Sequence, residues 1–156
     1  LYILVRFRNI AFSLGAVVGL IHDVLFILGI YSIFYSIMPF SLEIDQSFIA
    51  AILTVIGYSI NDTVVVFDRI RENVGLYPKR ALNELINMSV NSTLSRTFST
   101  SFSTALPLLA MFIFGGETIR GFVFAILLGV IVGTYSTIFI ASPIAYDIQQ
   151  KQAKKA

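Results

Sequence analysis

The 156-residue chain contains no cysteine, no tryptophan and one histidine, His22. Without cysteine there are no disulfides and no thiolate metal sites, and a single imidazole is too little for a histidine-built metal centre. Charge is scarce too. Only 13% of residues are Asp, Glu, Lys or Arg, against about 25% in an ordinary soluble domain. There is no Walker loop, HExxH or GxSxG pattern, so the common phosphate-, zinc- and acyl-transfer sites are not written in the chain. No enzyme activity, cofactor or metal is expected.

What is plentiful is apolar surface: 56% of residues are hydrophobic and the mean hydropathy is +0.84. Long apolar stretches divide the chain, which predicts an all-α polytopic membrane protein. Transmembrane helices are expected at 11–38, stopped by Pro39, then at 47–67, 96–114 and 121–141, the last ending before Pro143. Each approaches or exceeds the ~20 residues that cross ~30 Å of hydrocarbon. Residues 1–8 open in mid-run with LYILV. That run is too short to span and lacks the layout of a signal peptide, so 1–8 read as the end of a truncated fifth span plus a short loop. Segments 39–46 and 115–120 are short outer loops, and 142–156 is a tail. In 68–95, Leu82, Leu85, Ile86 and Val90 recur at helical spacing, which predicts a loop followed by an amphipathic helix lying in the membrane interface.

Basic residues fix the orientation. With alternating spans, Arg6, Arg8, Arg69, Arg71, Lys79, Arg80, Lys151, Lys154 and Lys155 share one side. The other side holds Glu43, Asp45, Glu117 and one base, Arg120. The basic side is read as cytoplasmic.

Inside the apolar runs stand three charged residues, Asp23, Asp62 and Arg96. A charge at mid-helix costs roughly 2.5–3.5 kcal/mol on insertion scales, so such groups turn toward protein or a hydrated cavity. Asp62 shares a step-of-four stripe with Ala50, Thr54 and Tyr58, and Asn61 stands beside it as a candidate hydrogen-bond partner. It reads either as a proton or ion carrier or as polar packing glue. Arg96 heads RTFSTSFSTALP, with Ser92, Thr100 and Thr104 at steps of four. That stripe could line a hydrated groove or meet an acid, or Arg96 could snorkel to the headgroups. Pro107 interrupts the backbone hydrogen bonding of the same helix. Asp23 follows Ala11, Gly15 and Gly19 on a stripe suited to close helix approach. Its neighbour His22 reads either as a proton relay or as a histidine bonded to a backbone carbonyl. Ala125, Gly129, Gly133 and Thr137 repeat the small stripe without charge.

GYSINDTVVVFDRIREN, Gly57 to Asn73, resembles the signature of the SecF family. RFRNIAFSLGAVVGLIHDV, LSRTFSTS and FGGETIRGF match the family's other motifs in the same order. The resemblance implies the carboxy-terminal membrane part of SecF, or the SecF half of a fused SecDF, built as a resistance-nodulation-division-type six-helix half. It further implies a multi-pass protein of the bacterial cytoplasmic (inner) membrane, with the outer loops periplasmic. The implied function is accessory to the Sec machinery: coupling the proton, or sodium, gradient to late stages of preprotein translocation. Implied partners are SecD, the SecYEG translocon, YajC, preprotein and membrane lipids, with no nucleic acid. Asp62 becomes the proton-carrying carboxylate and Arg96 its functional partner, with Asn61, Tyr58, Asp23, His22 and Thr100 as supporting polar groups. Two competing readings are a related exporter of lipids or small molecules and a structural membrane subunit. In the second, the same polar residues only fix helix packing.

Overall fold

The computed structural model describes residues 9–153. The truncated span expected over 1–8, with Arg6 and Arg8, and the tail bases Lys154 and Lys155 lie outside them. Four helices are long and apolar enough to cross a membrane. Helix α1 is Ile10–Phe34, α2 Gln46–Leu76, α3 Leu82–Phe114 and α4 Glu117–Ser136. A π-turn, Thr137–Ala141, joins α4 to α5, Ser142–Ala153, so that the fourth span continues without a break. No strand occurs among the described residues.

Local signals set the ends. The Asn9 side chain accepts from Ala11 N at 2.9 Å, and Asp45 Oδ1 accepts from Phe48 N at 2.9 Å. These are ordinary N-caps, satisfying amides the helix cannot pair. α1 stops at Phe34, four residues earlier than expected, and turns through 35–37 ahead of Pro39.

Two features depart from the sequence reading, the course of 82–95 and the helix beyond Pro143. First, Leu82–Ser95 is not a separate interfacial helix but runs directly into the third span. Its apolar face is covered by the bundle: Ile86 is buried with Phe67, Ile70 and Ala145, and Leu82 and Val90 pack on the same cluster. The polar run does not break the helix because its hydroxyls turn back onto the helix's own carbonyls. Ser89 Oγ donates to Leu85 O at 2.6 Å, Thr93 Oγ1 to Ser89 O at 3.0 Å and Thr100 Oγ1 to Arg96 O at 2.9 Å. Such back-bonding satisfies a hydroxyl in apolar surroundings. As the expected span 96–114 requires, α3 passes through Pro107. Second, the chain stays helical beyond Pro143, and the π-turn just before the proline accommodates it: both the N–H and the Oγ of Ser142 donate to Thr137 O.

The small stripes behave as read. Ala11, Gly15, Gly19 and Asp23 are all buried, as are Ala125, Gly129, Gly133 and Thr137. A Cβ on Gly15 would stand 2.6 Å from Ala141 O, and one on Gly129 would stand 2.1 Å from Val55 Cγ2. At Gly15 two backbones meet because no side chain intervenes, and at Gly129 the Val55 side chain fills the space a Cβ would take.

Two apolar clusters result. One contains Phe12, Ala16, Val66, Phe67, Ile70 and Ala141. The other contains Ile27, Tyr31, Phe48, Val55, Ala125 and Val130. Between them the inward faces carry small or polar residues: Gly19 and Asp23 on α1, Ser59, Asp62 and Thr63 on α2, Gly133 and Ser136 on α4, and Thr137 of the π-turn. α3 supplies 97–101 at the same level, through its contacts to Asp62 and Tyr58.

Candidate functional site

That layer is the candidate site. Asp62 projects from α2 into the bundle and is 7% exposed. Thr97 Oγ1 of α3 donates to its Oδ1 at 3.1 Å. Its Oδ2 is buried and has no hydrogen-bond partner among the described residues. A buried polar atom left unpaired costs on the order of 1–3 kcal/mol, more if charged. Next to Asp62, Thr63 Oγ1 meets Thr137 Oγ1 of the π-turn at 3.0 Å. π-turns recur at functional sites, because they re-aim one residue of an otherwise regular helix.

A second buried carboxylate lies one turn further into the bundle. Asp23 is 1% exposed. Its Oδ2 accepts from Ser59 Oγ at 2.7 Å and its Oδ1 is 3.2 Å from His22 Nδ1. A Cβ on Gly133 would be 3.7 Å from the same Oδ2, so glycine leaves room for the carboxylate. A third contact set joins α2, α3 and α4: Tyr58 OH donates to Ser101 Oγ at 3.0 Å, and Ser101 pairs closely with Thr134.

Of the residues singled out from sequence, Asp62, Tyr58, Asp23 and His22 therefore take part in the layer. His22 bonds to Asp23 rather than to a backbone carbonyl, with its ring centroid 6.1 Å from Phe26 and 6.4 Å from Tyr135. Asn61, Arg96 and Thr100 are exposed on the other side of α2 and α3. Neither Asn61 nor Arg96 hydrogen-bonds or ion-pairs with Asp62 among the described residues, and the Thr100 hydroxyl is satisfied by Arg96 O and Thr97 O.

The partners that sequence reasoning missed are Ser59, Thr97, Ser101, Thr134 and Thr137. A signal for the α3 pair existed. Ser89, Thr93, Thr97 and Ser101 step by four and are the buried stripe of α3. The stripe chosen from sequence, Ser92, Arg96, Thr100 and Thr104, lies one residue earlier and faces outward. On α2 likewise, Ala50 and Thr54 are exposed, whereas Ala51, Val55 and Ser59 lead inward to Asp62.

The chemistry available is narrow. Two buried carboxylates, hydroxyl donors and one partly exposed imidazole can hold and pass protons or a small cation. No group of three or more His, Cys, Asp or Glu side chains stands together as a metal site among the described residues.

Known proteins share this sequence pattern and fold. Residues 1–151 match the family model for the carboxy-terminal region of the protein export membrane proteins SecD and SecF. Protein translocase subunit SecF of Rhodothermus marinus is 54% identical over 99% of this chain and 50% of its own length. The subunit of the same name from Rickettsia bellii is 48% identical over 99% of this chain and 49% of its own. The chain thus spans about half the length of such relatives. A crystal structure of SecDF in a super-membrane-facing form superposes with a TM-score of 0.85 and 42% identity, covering 99% of this chain and 21% of that one.

Proposed function

The chain belongs to the SecD/SecF carboxy-terminal family of protein-export membrane proteins, and on that premise we propose that it is the ion-coupling membrane half of a Sec export subunit. It acts in the bacterial cytoplasmic membrane, with the basic side of the bundle in the cytoplasm. It does no covalent chemistry. It lets protons, or sodium ions, run down their gradient and passes the resulting motion to the parts of the protein that handle preprotein. The observation that carries the reading is Asp62, a carboxylate 7% exposed in an apolar bundle with one oxygen unpaired among the described residues. A purely structural polar group would be fully satisfied, since packing glue stabilises only when its hydrogen bonds are made.

Arg96 supplies the switch. It precedes Thr97 on α3, and adjacent residues on a helix point roughly 100° apart. With Thr97 against Asp62, Arg96 faces outward. Turning α3 by about one residue would exchange the hydroxyl for the guanidinium. A nearby guanidinium stabilises a charged carboxylate, and its withdrawal favours capture of a proton. Each charge carried across 100 mV delivers about 2.3 kcal/mol, enough to bias a helix between two packings.

The outward face suits a partner. Asn61, Arg96 and Thr100 are exposed on helices otherwise fit for lipid, and polar groups in hydrocarbon turn toward protein. The partner of that face is SecD, and the SecYEG translocon and YajC are reached through the assembled complex. Export measured in the full-length protein tests the proposal. Asp62→Asn and Arg96→Gln should each leave only the export seen with the gradient collapsed, while the complex with SecD still assembles. Normal gradient-driven export in Asp62→Asn would remove Asp62 from the mechanism.

A further inference from the structure

At the cytoplasmic end of the bundle stands a buried polar pair that the coupling mechanism does not use. Asn73, near the end of α2, is 2% exposed, and Ser89 of α3 is completely buried. The Asn73 side-chain amide donates to Ser89 Oγ at 2.7 Å, and the Ser89 hydroxyl donates onward to Leu85 O at 2.6 Å. We infer that this pair is a latch holding α3 in the register that sets Thr97 against Asp62, with Asn73 as a positioning residue for the switch. The inference rests on the turning of α3 proposed above.

The packing around the pair is apolar. Phe67 and Ile70 of α2 share one cluster with Leu82, Ile86 and Val90 of α3. Such contacts are non-directional and follow the area buried, so they oppose separation of the two helices more than rotation of one against the other. A buried amide is different, because it must find an acceptor in the right direction or remain unpaired. A single buried Asn fixes the register of coiled helices in this way, at a cost in stability. An apolar side chain at 73 would serve packing alone; the amide adds a choice of register.

The period of the helix says which register is chosen. Ser89, Thr93 and Thr97 form one row of α3 at steps of four. Met88, Ser92 and Arg96 form the neighbouring row. A turn that brings Arg96 to Asp62 in place of Thr97 moves every row by one residue, so Met88 replaces Ser89 opposite Asn73. A thioether is only a weak acceptor, and Met88 Sδ already lies 3.9 Å from Arg80 Nη1. The buried amide then lacks a good partner, which favours the Thr97-facing register by about tenfold. The neighbouring bond, from Arg69 Nε to Ser92 Oγ at 3.2 Å, does not discriminate in this way, because the long Arg69 side chain is half-buried and free to follow Ser92.

The latch gives the switch a resting state. A charged Asp62 draws Arg96 inward against it, and once Asp62 is neutral the Asn73–Ser89 bond returns α3. From Asp62 to Asn73 is eleven residues of α2, about 17 Å at 1.5 Å per residue. The two sites therefore communicate through the turning of α3 rather than by contact.

The test uses the full-length protein in its complex with SecD, in a cysteine-free background. Asn73→Leu combined with Ser89→Ala removes both partners, so no amide or hydroxyl is left unpaired and the fold is spared. Spin labels at Leu25 and Leu106, exposed on α1 and α3, report the turning of α3 about 25 Å from the latch. A purely local repacking at 73 would not move that distance. In Asp62→Asn, which keeps residue 62 neutral, α3 should rest in the latched register. Adding the double substitution should move the distance distribution back toward wild type, raising the ratio of turned to latched forms about tenfold. With Asp62 intact, the double substitution should lower gradient-driven export several-fold while assembly with SecD is unchanged. If Asp62→Asn alone shifts the distribution and the double substitution adds nothing, the latch is overturned and the coupling reading stands. Full gradient-driven export by the double variant would overturn the latch as well. A distribution that no variant moves would reject the turning of α3, and the latch with it. Normal gradient-driven export by Asp62→Asn would reject the coupling reading itself, and with it the purpose of the latch.

Discussion

The two sides of this bundle are held together by different means. Where α1 meets the π-turn and α5, and α4 meets α2, glycines allow close approach: Gly15 against the Ala141 backbone, Gly129 against the Val55 side chain. α3, by contrast, buries only 11% of its apolar window, against 39% for α1 and 44% for the fourth span. Its cytoplasmic end packs through Leu82, Ile86 and Val90, but at the level of the carboxylate it is attached through hydroxyls, Thr97 to Asp62 and Ser101 to Tyr58 and Thr134. Glycine seams are specific and hard to shift, because any displacement opens a void or a clash. A hydroxyl can exchange one acceptor for another at small net cost, because its net bond is worth only about 0.5–1.5 kcal/mol. In the coupling mechanism proposed above, the seam is the fixed part and α3 the part that moves, with the carboxylate on the boundary between them.

Filling the seam should do the most damage. Gly129→Leu drives a side chain into Val55 and should cost at least the ~3 kcal/mol at the top of the overpacking range. It would be read as loss of folded protein in detergent. Gly15→Ala places its methyl against the Ala141 carbonyl and should cost about 1–3 kcal/mol by thermal or denaturant unfolding. If either variant keeps wild-type stability, the seam is not the rigid side.

On the α3 side the effects shrink and change in kind. Thr97→Val strips Asp62 of its one protein hydrogen bond and should cost about 1–3 kcal/mol, with ion coupling altered; Thr97→Ser should restore both. Phe102→Ala, on the exposed face of α3, should change the stability of this half by no more than about 0.5 kcal/mol. Gly29 in α1 meets nothing within 4 Å, so Gly29→Ala should stabilise by roughly 0.5–1 kcal/mol. That gain beside the loss at Gly15 would show that contact, not glycine itself, defines the seam.

The smallest effect is at the outer end of α2. The Ser47 hydroxyl, and after it the Phe48 N–H, hold the exposed Asp45 carboxyl below the usual carboxylate range. A depressed value means the cap stabilises fully above the unfolded carboxylate pKa of about 3.9 and is lost as pH falls through the folded value. Amide exchange at Phe48 should therefore quicken only in acid below about pH 4, and Asp45→Asn should abolish that dependence.

Much of the fixed side was legible in the sequence. Steps of four through Gly15 and Gly19, and through Gly129 and Gly133, name the buried faces because small residues have few other uses in an apolar helix. The movable side was legible only in part. Arg96 drew the reading to its own stripe, whereas the inward face is the neighbouring row of Ser and Thr. Hydroxyls give little sign from sequence alone, since each can bond its own helix or a neighbour. The continuity of α3 before Ser95 and of the helix past Pro143 depended on tertiary cover by Phe67, Ile70 and Ala145 and on the π-turn. Neither has a local signature.

The claim at the centre is that α3 changes its face toward Asp62 while the seam stays still. Spin-label distances in the full-length protein test it most directly, comparing wild type with Asp62→Asn as a mimic of the protonated state. One label pair, at Glu72 and Asn87, reports α2 against α3; a second, at Leu14 and Gln150, reports α1 against α5, all four positions being exposed. The account predicts a shifted distance distribution for the first pair and an unchanged one for the second. Unchanged distributions for both, or a shift confined to the second, would contradict it.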